Sequence, residues 1–107
     1  MQKEISFGDF IKKLRCDRNL KLREASELLG IDTSTLGKFE KNSRKPNSAL
    51  LQKISKIFEI ELNELNVILQ SDLIAKDMLK FEVNPNEVLK VAEKKIKYLK
   101  KSKPQNR

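Results

Sequence analysis

The chain has 107 residues, a formal net charge of +8, one cysteine and no histidine. That length holds one small domain, or a small domain with an appendage. A disulfide framework, a Cys/His zinc site and any mechanism needing a histidine base or a Cys–His pair are excluded. No run approaches the roughly 20 apolar residues of a membrane span, and the N-terminus lacks the apolar region of a signal peptide. The sequence therefore predicts a cytoplasmic protein that uses no membrane, metal or cofactor. Few glycines and prolines, with no β-branched runs, predict an all-α fold. The positive charge points to an anionic partner but says nothing about fold.

The first helix is predicted to begin after Ser6, which with Asp9 resembles a capping box, and to bury Phe7, Phe10, Ile11 and Leu14. Cys16 falls on the opposite side as a surface thiol. The segment LKLREASELLGIDTSTLGKFEKNSRKP, residues 20–46, carries the strongest signal. Leu22, Ala25, Ser26 and Leu29 recur at helical spacing, Gly30 supplies a left-handed stop, and Asp32 stands where it can cap the next helix. That next helix, from Thr33 to about Lys41, buries Leu36 and Phe39 and turns Thr33, Ser34, Thr35 and Lys38 outward. Two short helices about a glycine turn hold a polar helix in the DNA major groove.

The basic loop that follows ends at Pro46. Phosphate contacts would be expected there to anchor a reading helix, so Lys41, Asn42, Ser43, Arg44 and Lys45 are candidate phosphate-contacting residues, with Lys21 ahead of the second helix as a further one. A fourth helix starts with Asn47 or Ser48 as cap and carries Leu50, Leu51, Ile54, Ile57 and Phe58. Helices this short need one shared core. A longer fifth helix over about 62–80 bears Leu62, Leu65, Ile68, Leu69 and Leu73, until FEVNP breaks it. Asn84-Pro85-Asn86-Glu87 restarts a sixth, with Val88, Val91, Ala92, Ile96 and Leu99 along one side. The last fourteen residues hold seven basic residues and no acid.

With these elements placed, residues 7–65 resemble the helix-turn-helix domain of the XRE/phage-repressor family. The residues that carry the likeness are Leu14-Arg15, Leu20, Ser26, Leu29-Gly30-Ile31, Leu36, Glu40, Arg44, Pro46, Leu50, Ile54, Ile60 and Leu65. The resemblance implies a five-helix repressor-like DNA-binding domain over 1–65. Residues 66–101 form an additional C-terminal helical extension, and 102–107 a basic tail. It also implies an Arg15–Glu40 ion pair tying the first helix to the third, where a bidentate guanidinium–carboxylate bond would fix the angle of the reading helix. Base-contacting positions carry over to Thr33, Ser34 and Lys38, with Thr35 as neighbour. Three positions depart from the family pattern. Leu22 replaces a frequent glutamine and completes the apolar stripe. Asn42 replaces a loop glycine, at a position where asparagine tolerates a positive φ. Gly37 lies inside the reading helix, at about 1 kcal/mol against alanine.

The extension more loosely resembles small XRE regulators found beside DNA methyltransferases in bacterial restriction–modification loci. A dimeric transcriptional regulator is the leading expectation, with double-stranded DNA and a second copy as partners, and no effector motif is visible. The predicted dimerisation residues are Leu65, Leu69, Leu73, Val88, Val91 and Ile96. Two other classes fit the same residues: an antitoxin-like protein whose C-terminal helices bind a toxin, and an interaction adaptor that does not read DNA. An enzyme fits least, since no base, nucleophile or phosphate loop accompanies Asp72 and Asp77.

Overall fold

A computed structural model describes residues 5–102. They form six helices: α1 (Phe7–Asp17), α2 (Leu22–Leu29), α3 (Thr33–Glu40), α4 (Ser48–Phe58), α5 (Leu62–Phe81) and α6 (Pro85–Ser102). The basic tail lies almost wholly outside the described residues. The chain divides into two compact units between Leu73 and Ile74.

The first unit is built on one core. Phe7, Phe10 and Ile11 of α1 meet Ala25 and Leu29 of α2, Leu36 and Phe39 of α3, and Leu50, Leu51, Ile54 and Phe58 of α4. The start of α5 closes it with Leu65, Ile68 and Leu69. Burying an aliphatic side chain of this size contributes about 1.5–3 kcal/mol, so a handful of such residues outweighs what any one of these short helices could muster alone.

The helix ends follow the sequence signals in most cases. Ser6 Oγ accepts from the Asp9 N–H, Asn47 Oδ1 accepts from the Leu50 N–H, and Gly30 ends α2 in the left-handed region at φ 69°. Asp32 occupies the N-cap position of α3, but its carboxylate makes no capping hydrogen bond. At α2 the return half of a capping box is present: Glu24 accepts from the Lys21 N–H at 2.7 Å, while a lysine side chain has no acceptor to offer.

The α1 start is held from three places. Ser6 takes the Asp9 N–H, Asn42 Oδ1 accepts from the Gly8 N–H at 2.8 Å, and Asp72 Oδ2 on α5 accepts from the Phe7 N–H at 2.7 Å. These are the donors a helix leaves unpaired at its first turn, and an acid there also favours the helix dipole. Gly8 makes the approach possible. A Cβ at that position would stand 2.5 Å from the Glu40 carbonyl oxygen and 2.6 Å from that of Phe39.

Two sequence expectations change here. Leu65 and Leu69, predicted at a dimer interface, are fully or almost fully buried in the core of the first unit and have no surface to give a partner. The first unit also runs past residue 65, because Ile68, Leu69 and Asp72 still serve its core and the α1 cap.

The second unit, from Ile74 onward, holds the end of α5 and all of α6. α5 stops at Phe81 and Glu82 adopts a left-handed φ of 50°. Asn84 then caps α6, accepting from the Glu87 N–H, and Pro85 takes the first helical position, where its missing N–H costs nothing. No residue of α6 is buried.

Candidate nucleic-acid interface

α3 is anchored on one side and open on the other. Leu36, Phe39 and Glu40 are buried, whereas Ser34 and Lys38, one turn apart, are exposed. Thr33 and Thr35 flank that open face. Gly37 lies between Lys38 and Leu36, and a Cβ there would meet only Leu22 Cδ2, at 3.7 Å. Leu22 is partly buried against the core. Two of the three departures from the family pattern are thus neighbours, with room for a methyl group between them.

Thr33 is tied into the turn. The Ser26 hydroxyl donates to the Arg23 carbonyl at 2.8 Å, and its oxygen stands 3.1 Å from Thr33 Oγ1. With the serine proton already committed, Thr33 is the donor in this second bond. Toward a partner, the Thr33 oxygen then offers lone pairs only. Thr35, half-buried, turns the other way. It lines a shallow cleft of about 320 Å³ with Phe39, Arg44, Lys45, Asn47 and Lys53 among others.

The buried Glu40 is neutralised. Arg15 Nε donates to Glu40 Oε2 at 2.8 Å and Nη2 to Oε1 at 3.0 Å, a two-pronged bond with both side chains largely buried. A third prong, Nη1, donates to the Leu20 carbonyl at 2.9 Å. One guanidinium therefore joins α1, the α1–α2 turn and the end of α3. The hydrogen bond to Glu40 raises the Arg15 pKa above its ordinary value, against the smaller opposing effect of burial. The folded state holds that proton more tightly than the unfolded chain. The pair's stabilisation is accordingly complete at neutral pH, and on the arginine side it is lost only in strong alkali.

Lys21, Lys41, Arg44 and Lys45 are exposed around α3. Arg44 lies over the Phe39 ring, 5.8 Å from its centroid, a cation–π contact that shapes where the guanidinium points. Asn42 and Ser43 have other commitments. Asn42 sits at φ 61°, as a loop glycine would, and its amide caps α1 and donates to Ser6 Oγ. The Ser43 hydroxyl donates back to the Lys38 carbonyl. Sequence reasoning missed Gly8 and the capping roles of Asn42 and Asp72, which depend on contacts 34 and 65 residues apart. It also missed Arg18, whose guanidinium donates to the Ile57 and Phe58 carbonyls at the end of α4 and lies 5.0 Å over the Phe58 ring.

A helix-turn-helix family model, HTH_3, matches residues 11–65, just over half of the chain. The chain belongs to this helix-turn-helix family. As an XRE-type HTH_3 protein it is a DNA-binding transcription regulator. No curated protein and no solved structure gives a match. Among the described residues of this HTH_3 regulator, no helix is long and apolar enough to cross a membrane.

Proposed function

We propose that this regulator acts as a dimer on a two-part operator and controls its own gene together with a neighbouring restriction–modification gene. The observation that carries the DNA-reading part of this proposal is the geometry of α3, whose Ser34 and Lys38 stand open while Leu36, Phe39 and the Arg15–Glu40 pair fix the helix from behind. Lys38 reaches guanine O6 and N7, and Ser34 bonds to either partner on a base edge. Thr33, as an acceptor, matches the amino group of adenine or cytosine. Thr35 stands at the edge of the cleft beside Arg44 and Lys45.

Lys21, Lys41, Arg44 and Lys45 supply the phosphate grip, and Asn42 and Ser43 shape the loop that presents it. One module touches too few bases to discriminate well, and two modules on half-sites about 34 Å apart double the reading. Leu65 and Leu69 being in the core, the candidates left for dimerisation are Leu73, Val88, Val91 and Ile96, and because Val91 and Ile96 lie on different sides of α6 only one of those two sides meets the partner.

The test is a salt-titrated binding assay on the DNA upstream of the gene, against a scrambled duplex of equal length. A preference of about a thousandfold or more supports operator reading. Equal, salt-sensitive binding to both duplexes overturns it. Lys38→Ala should then erode the preference, while Lys45→Ala should weaken both duplexes alike and reduce the salt slope by about one.

A further inference from the structure

An 18-residue helix with no buried residue is marginal in water, and along α6 Leu89, Val91, Ile96, Tyr98 and Leu99 are each about half exposed or more. Its surface is not featureless. Val88, Val91, Ala92 and Lys95 stand at i, i+3, i+4 and i+7 and, with Glu87 at one end, line an apolar hollow. Four residues at that spacing make the kind of hole that receives one side chain of a facing helix. Val91, one of the four walls of this hole, is itself a side chain of suitable size and shape to enter another.

We propose that the hollow is filled by Val91 of a second copy, the two α6 helices lying antiparallel about a two-fold axis beside Val91. This rests on the dimeric reading above and gives it a register. Glu87, Val91 and Lys95 lie on one i, i+4 row. Antiparallel pairing about Val91 sets Glu87 of each copy opposite Lys95 of the other. The contact is then self-complementary in charge as well as shape, as a two-fold interface requires.

The wider apolar seam of Leu89, Ala92, Ile96 and Leu99 is the competing face, and its flanks argue against it. Antiparallel pairing along that seam brings Glu93 onto Glu93 and Lys95 onto Lys95. Parallel pairing brings Lys95 against Lys100, and flanking charges of this kind decide partner and orientation. The Val91 register avoids both clashes and leaves Lys90, Lys97 and Lys101 in solvent.

Sedimentation of the full chain, as wild type and as Glu87→Lys, Lys95→Glu and the double swap, tests the register. The wild type should dimerise at micromolar concentration. Each single variant should weaken the dimer about tenfold, since two exposed ion pairs become two repulsions. The double swap should return to within about twofold of wild type. A lysine at position 87 also opposes the α6 dipole, but the double swap keeps that defect, so its recovery reports pairing alone. A monomeric wild type overturns the register and the dimeric reading together. A wild-type dimer that ignores the single changes, or that the double swap fails to restore, overturns the register and leaves the dimer standing.

Discussion

The two units of this chain use similar apolar content to opposite ends. In the first, Leu65 and Ile68 of α5 are completely buried beside side chains from four other helices. In the second, Leu79 and Phe81 near the end of the same α5 are mostly exposed, and α6 buries nothing. α5 is one unbroken helix through this change, so helical periodicity alone does not separate a core stripe from a docking stripe. What differs is the company within each unit: α1 to α4 cover the front of α5 in the first, and α6 buries none of its own residues in the second.

Truncating an isoleucine in each unit puts a number on the contrast. Ile68→Ala should cost about 3–4 kcal/mol in urea denaturation followed by circular dichroism, the usual penalty for a cavity in a packed core. Gly8→Ala should cost about 2–3 kcal/mol in the same melt, because its new methyl group collides with two backbone carbonyls at the end of α3. Gly37→Ala should go the other way. The space beside Leu22 admits a methyl group, and the domain should gain up to about 1 kcal/mol from helix propensity. Ile96→Ala should fall within about 0.5 kcal/mol for an isolated chain, as at an ordinary surface position. Tyr98, the single tyrosine, lies two turns from Val91 and gives α6 its own fluorescence signal, so the units can be followed separately. A loss above 2 kcal/mol at Ile96 would show that α6 is packed in the monomer and would erase the contrast.

Much of the first unit was legible because its determinants are local. The cap at Ser6, the stop at Gly30, the restart at Asn47 and the stripes of α1, α2 and α4 each depend on residues a turn or two apart. The Arg15–Glu40 pair was legible for a different reason: the family pattern fixed both partners. Gly8, Asn42 and Asp72 were not. A glycine early in a helix looks merely permissive until the α3 carbonyls lie against it, and an asparagine suited to a positive φ gives no sign that its amide will cap a helix 34 residues away. Leu65 and Leu69 were read at the right period but given the wrong neighbour, since a stripe in sequence does not name what covers it. On α3, exposure of Ser34 and Lys38 followed from the pattern, whereas the commitment of the Thr33 proton needed Ser26 beside it.

The way α3 is fastened has a consequence for redesign. Leu36, Phe39 and Glu40 hold it, and none of them faces outward. Residues 33, 34, 37 and 38 can therefore be rewritten as a cassette, with Thr33 the only one whose exchange disturbs a bond to α2. Under the proposed base reading, a new operator preference becomes a matter of a few letters set in an unchanged frame.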